Sequence, residues 1–237
     1  MGRRYGLAVL GAAALAMVLV GCGGKDDSAS GGSASGVSGD GGASGSGGDK
    51  SLTLAWVYDI ETLDPARAYI LPSWKTDKLI FRALLGYGMN SLELTGNAAE
   101  RWEVSEDGTE YTFYLVPDQK FSDGTPCTAE DFRYAWMRVL DPEMASPGAQ
   151  FFTDIVGASA YLAGESDDVP GIDVVDYLTL KVTLATPNLA FLSIVAMNFA
   201  FPVPQHVVED PDHDFAKWPI GNGPYKMAEW RPGELIV

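Results

Sequence analysis

Residues with reactive side chains are few and scattered. The 237-residue chain has two His and two Cys. Its densest group of potential ligands is Asp210, Asp212, His213 and Asp214, set around Pro211. Carboxylates and an imidazole can hold zinc or a hard cation. Here the spacing is irregular and no second cluster completes a shell, so a solvated acidic loop is expected. Glu130 and Asp131 have the look of an acid–base pair. They sit just after Thr128 at the start of a helical pattern, where carboxylates complement the helix dipole and cap the first turn. The chain has no Gly-x-Ser-x-Gly elbow and no His-Glu-x-x-His pair. This inventory points away from an enzyme and towards binding, with no catalytic residue, metal or cofactor assigned. Lys and Arg total 16 against 32 Asp and Glu, for a net charge of −16, which argues against nucleic acid as a partner. Two cysteines exclude a disulfide scaffold, and Cys127, standing before the capped helix, is expected to be a buried, inert thiol.

The chain divides into three unlike segments. Arg3 and Arg4 precede an apolar run from Leu7 to Val20, the pattern of a secretory signal and too short for a comfortable membrane span. The run closes on Leu19-Val20-Gly21-Cys22, which resembles the lipobox of bacterial lipoproteins. That resemblance implies a signal peptide over 1–21, lipidation of Cys22 and a membrane-anchored, extracytoplasmic location. Between 23 and 50, Gly and Ser predominate and no apolar period exists, so a coil with a reach of about 30 Å is expected. With 22–50 as anchor and tether, the folded part is 51–237, and 46% hydrophobic and 11% aromatic residues are enough to give it a core.

Within that part, Leu52, Leu54 and Trp56 alternate as a strand that Glu61–Pro65 breaks. Helical spacing predicts a helix over Ser73–Leu85, stopped by Gly86. Trp102 and Val104, the turn Glu106-Asp107-Gly108, then Tyr111, Phe113 and Leu115 read as a hairpin. Thr128 with Asp131 caps a helix whose apolar stripe is Phe132, Ala135, Trp136, Val139 and Leu140, ended by Asp141-Pro142. Further helices are expected over Phe151–Leu162 and Leu189–Met197, with a strand over Leu178–Leu184 between them. The tight turn Gly221–Tyr225 leads into a strand through Trp230. The irregular mixture of helices and hairpins favours α/β or α+β over a regular βαβ repeat.

Several of these pieces resemble, in order, the extracellular solute-binding proteins of oligopeptide and dipeptide ABC importers. They are Thr62-Leu63-Asp64-Pro65; Asn97–Ser105; Asp107-Gly108 with Tyr111-Thr112-Phe113; Phe121–Pro126; Thr128–Phe132; Asp141-Pro142 with Ala145-Ser146-Pro147; and Asn222–Met227 with Trp230. The resemblance implies an α/β, periplasmic-binding-protein-like type II lobe carrying an extra α+β subdomain at about 71–170. The ligand is an oligopeptide held between two lobes, and the partners are the ABC permease subunits and, through the lipid anchor, the membrane. Tyr69, Ile70 and Leu71 fall on the family segment that pairs main chain to main chain with peptide, and Asn222 falls on the cleft floor. Residue 148 is Gly where oligopeptide-binding relatives often place an aromatic that touches ligand. This departure leaves nickel, haem, oligosaccharide or opine open as the solute, as well as a surface relic with no transport role. Such proteins are more than twice this length, and the apolar triplet Leu235-Ile236-Val237 reads as the middle of a strand. The expectation is an N-terminal fragment with the second lobe missing and weak or no binding by itself.

Overall fold

The computed structural model describes residues 53–55, 58–88 and 90–237. Cys22, the signal and the tether lie outside the described residues. In chain order the elements are helix α1 (Leu71–Ile80), strands β1 (Leu85–Tyr87), β2 (Leu94–Gly96), β3 (Ala99–Val104) and β4 (Glu110–Leu115), helices α2 (Ala129–Leu140) and α3 (Ala158–Leu162), strands β5 (Ile172–Asp176) and β6 (Thr179–Thr183), helices α4 (Phe191–Ile194) and α5 (Gln205–Val208), and the two-residue strands β7 (Trp230–Arg231) and β8 (Leu235–Ile236).

The centre is a four-stranded antiparallel sheet in the order β3-β4-β6-β5. Register sets Phe113 opposite Trp102 and Leu180, and Val182 opposite Tyr111 and Ile172. Because side chains alternate across a strand, Tyr111, Phe113, Leu115, Leu180 and Val182 line one buried face. Helix α2 packs there with the whole predicted stripe, Phe132, Ala135, Trp136, Val139 and Leu140, buried. Its start is fixed as expected, with Asp131 Oδ2 accepting the Thr128 N–H at 2.7 Å. The indole N–H of Trp136, in the middle of the core, donates to the Ala200 carbonyl at 3.1 Å, so its burial leaves no polar atom stranded. The β3–β4 turn uses Gly108 at φ +70. Asp107 braces it by accepting from the Ser105 hydroxyl at 2.6 Å and the Thr109 hydroxyl at 2.8 Å.

Several elements differ from the sequence expectation. Helix α1 runs 71–80 rather than 73–85: Pro72 starts it, and Phe81 is already extended. The apolar Ala83, Leu84 and Leu85 that prolong the pattern are buried on the way into β1. The stretch 151–162 is not one helix. A 3₁₀ turn ends at Phe151, Ile155 bridges to Leu184, and α3 begins only after Gly157, whose φ is +86. Residues 189–197 hold a single helical turn, α4. The β1–β2 hairpin and β5 were not anticipated: the first has three residues per strand, and the second carries a register shift at Val174/Asp176. Residues 53–55 form no strand. Strand β6 continues the sheet begun by β3 and β4, so residues on both sides of position 170 share it. Among the described residues no helix is long and apolar enough to cross a membrane.

Candidate functional site

The chain reaches Tyr69 through a turn held by several hydrogen bonds. Asp64 is buried, and its carboxylate takes a bidentate pair from Arg138 of α2, Nη1–Oδ1 2.8 Å and Nη2–Oδ2 2.6 Å. The same carboxylate accepts the Ala66 N–H at 3.1 Å. Buried pairs of this kind add little net stability, but breaking one is costly, so the pair acts mainly to fix direction. Further along, the Ser146 hydroxyl donates to the Ala66 carbonyl at 2.5 Å and the Trp74 indole N–H to the Ala68 carbonyl at 2.7 Å. The Ala66 and Ala68 carbonyls leading into the segment are thus tied to two different side chains.

That engagement stops at Tyr69. Among the described residues, no backbone group bonds to the Tyr69 N–H, the Tyr69 carbonyl or the Ile70 N–H. Ile70 is extended, at φ −114 and ψ 150, and its carbonyl accepts the Trp74 N–H at 3.0 Å to open α1. Tyr69 is 57% exposed and Leu71 64%. Free, extended backbone at a surface is what an added strand pairs with.

The Tyr69 ring lies on aromatic side chains. Its centroid is 5.8 Å from Phe199 and 6.0 Å from Trp74. Phe199 in turn meets Trp74 edge-on at 5.6 Å and stacks on Phe151 at 6.0 Å. Gly148 lies directly against the Phe199 ring, and a Cβ there would collide with it. The space at position 148 is thus filled by a ring delivered from elsewhere in the chain.

Asn222 lies at the other end of α1. It is 7% exposed, and its amide clasps the main chain of Arg82: Oδ1 accepts the Arg82 N–H at 2.7 Å and Nδ2 donates to the Arg82 carbonyl at 3.2 Å. The Gly223 N–H donates to the Ile80 carbonyl at 2.7 Å and the Tyr225 N–H to Leu79 at 3.1 Å. Gly221 and Gly223 press so closely on Ile80 that neither position has room for a Cβ. The structure therefore brings Tyr69, Ile70 and Leu71 together and sets Asn222 apart from them, across a ten-residue helix about 15 Å long.

Beneath α1 lies a buried polar group that the sequence reading did not single out. Ser73 and Asp77, four residues apart on one helical face, and Asn198 are all fully buried. Among the described residues Ser73 Oγ, both Asp77 carboxylate oxygens and Asn198 Oδ1 make no well-formed hydrogen bond; the Asn198 amide, whose Nδ2 donates to the Trp74 carbonyl at 3.0 Å, lies near enough to Asp77 to favour its charged form slightly. Burial pushes the Asp77 carboxyl well above the usual aspartate range. Cys127 is buried, and burial raises its thiol as well, consistent with an inert residue. In the acidic loop, His213 Nε2 meets the Trp218 carbonyl at 2.7 Å and Asp214 pairs with Lys217 at 3.2 Å. Among the described residues no group of three or more His, Cys, Asp or Glu is placed to hold a metal.

Comparison with known proteins agrees with this geometry. Residues 93–237, more than half of the chain, match the family described as bacterial extracellular solute-binding proteins, family 5 (middle). The dipeptide-binding protein DppE of Bacillus subtilis (strain 168) is 36% identical over 194 residues, covering 80% of this chain and 35% of that protein. The structure of the Escherichia coli murein tripeptide binding protein MppA superposes with a TM-score of 0.71 at 34% identity, covering 75% of this chain and 35% of that one. Haemophilus influenzae OppA, in complex with the peptide RPPGFSPFR, gives a TM-score of 0.71 at 30% identity over 75% of this chain and 36% of its own. The chain spans about a third of the length of the curated relatives it matches. Its helices and antiparallel sheets are those of one lobe of a type II periplasmic-binding fold. Ordered motifs, fold and matched residues lead to one conclusion: the chain belongs to family 5 of the bacterial extracellular solute-binding proteins.

Proposed function

We propose that this chain supplies one wall of the ligand cleft of a peptide-capturing component of an ABC importer, with Tyr69, Ile70 and Leu71 as the strand that pairs with bound peptide. The observation that carries this reading is the main chain at Tyr69 and Ile70, extended at Ile70, whose Tyr69 N–H and carbonyl and Ile70 N–H are unpaired among the described residues, with the Ala66 and Ala68 carbonyls engaged just before it. Main-chain pairing is indifferent to ligand sequence and length. That suits a family whose members are named for dipeptides, a murein tripeptide and oligopeptides. In this reading Asn222 contributes by fixing the turn at the cleft floor. The sheet and α2 form the extra α+β subdomain, whose later edge runs past 170 to take in β6. Closure of a second wall buries the peptide and prepares it for transfer to the permease. Lipidation of Cys22 and the Gly/Ser tether keep the lobe near the membrane on the extracytoplasmic side.

One wall alone offers about half of the contacts, so peptide affinity near the millimolar range is expected. Saturation-transfer NMR with tri- and pentapeptides at millimolar concentration tests this directly. Magnetisation reaching the peptide Hα protons supports main-chain pairing. No transfer to any peptide from chain shown by circular dichroism to be folded overturns the reading. Sub-micromolar binding in a titration calorimeter overturns the assignment of a single wall.

A further inference from the structure

We infer that the aromatic surface formed by Tyr69 on Phe199, flanked by Trp74 and Phe151, is a side-chain subsite that selects peptides carrying an aromatic residue. This rests on the peptide-binding reading above and adds to it a preference that main-chain pairing by itself cannot provide.

Three observations carry it. First, among the described residues no main-chain group pairs with the Tyr69 N–H or carbonyl, so a peptide strand paired there must run beside its ring. In paired strands, facing side chains lie within about 5 Å of one another and diagonal neighbours remain within reach of large rings. Second, the Tyr69 ring is more than half exposed yet held in place, with Phe199 below it and the Trp74 edge beside it. Trp74 is itself anchored by its indole N–H on the Ala68 carbonyl, and Phe199 is locked between Trp74, Phe151 and Gly148. A ring fixed in advance gives up little conformational freedom when another ring stacks on it. Third, Ile70 and Leu71, next in the chain, are exposed and apolar. A net charge of −16 adds long-range repulsion of acidic ligands. The occupant that matches both the free backbone and the ring is a strand presenting an aromatic side chain.

The test uses the full chain in dodecyl maltoside and saturation-transfer titrations with Ala-Ala-Ala, the three tripeptides placing one Phe among two Ala, and the three placing one Glu. The expected result is that at least one Phe peptide binds about tenfold more tightly than Ala-Ala-Ala, with the strongest transfer to its ring protons, while the Glu peptides bind more weakly. Tyr69→Ala is expected to bring the best Phe peptide to within about twofold of Ala-Ala-Ala, and Tyr69→Phe to retain the full ratio. A purely structural role for Tyr69 would weaken all peptides alike and leave the ratio unmoved. Phe, Ala and Glu peptides that bind the parent chain within twofold of one another overturn the subsite and leave the peptide-binding reading standing. Absence of binding by every peptide overturns that reading, and the subsite with it.

Discussion

The two ends of helix α1 handle their polar groups in opposite ways. At the carboxy-terminal end, Asn222, Gly223 and Tyr225 each bond to the main chain of residues 79–82, and the glycines leave no space between the two segments. At the amino-terminal end, neither main-chain group of Tyr69 is paired among the described residues. Both loops belong to the proposed cleft; one is clasped to the end of α1 by a side-chain amide and two N–H groups, while Tyr69 makes no main-chain bond among the described residues. Buried polar groups whose partners are already supplied hold a shape. Recognition needs groups that are held in position and still unpaired. The comparison separates a loop that shapes the site from one that can read a ligand.

The largest effect expected from this contrast is at the closed end. Gly221→Ala forces a Cβ onto the Ile80 carbonyl group, which is backbone and has little freedom to move aside. A loss of about 3 kcal/mol or more is expected, read as a lowered urea midpoint. A change below about 1 kcal/mol would show that the turn is looser than its hydrogen bonds imply.

A second, smaller effect lies between the two ends. Asp77 is buried under α1 with no well-formed hydrogen bond to either oxygen among the described residues, and burial raises its pKa against a weaker opposing effect of Asn198. The folded chain therefore holds that proton more tightly than the unfolded chain does. Its contribution to stability falls as pH climbs from the ordinary aspartate range to the raised value. Asp77→Asn removes this titration and is expected to stabilise the protein by about 1–2 kcal/mol at neutral pH. The gap should close towards about pH 3, below the ordinary aspartate pKa, where the parent carboxyl is protonated in both states. Thermal melts of both proteins across that range check the sign, and a parent that is the more stable of the two at neutral pH contradicts it.

The smallest effect is at the open end. Ile70 occupies the N-cap of α1 and supplies no side-chain cap. Ile70→Ser offers a hydroxyl to the first turn and should raise stability by about 0.5 kcal/mol, once lost apolar contact is set against the gained cap. The same change should weaken peptide binding, since it removes an exposed apolar side chain next to Tyr69 in the chain. If stability and binding rise together, the contrast between the two ends fails.

How far the sequence reached depended on where each signal sits. Helix α2 could be read outright, because its stripe, its cap and its Asp-Pro stop all lie within fifteen residues. Helix α1 could be located but not bounded, since Ala83, Leu84 and Leu85 are apolar for the sake of the next element, and apolarity alone does not say which element it serves. The break at Gly157 leaves no mark in the sequence, because a glycine with positive φ is indistinguishable there from one that continues a helix. At the site, Tyr69–Leu71 came from the order of family motifs. Trp74 was visible only as a helix residue, and Phe151 and Phe199 only as parts of apolar runs. Nothing local joins residues 69, 151 and 199. Only the folded chain places their rings together.

Gly148 and Phe199 have a consequence for how such a site changes over generations. The space between them admits one ring, and in this chain residue 199 delivers it. Moving the ring to position 148 requires two substitutions, and neither is tolerable first. An aromatic at 148 collides with Phe199, while a small residue at 199 opens a cavity costing about 3–5 kcal/mol, much of a typical domain's stability. Lineages on either side of that exchange are separated by a barrier no single step crosses cheaply, so the ring should persist at 199 long after ligand preference has begun to drift.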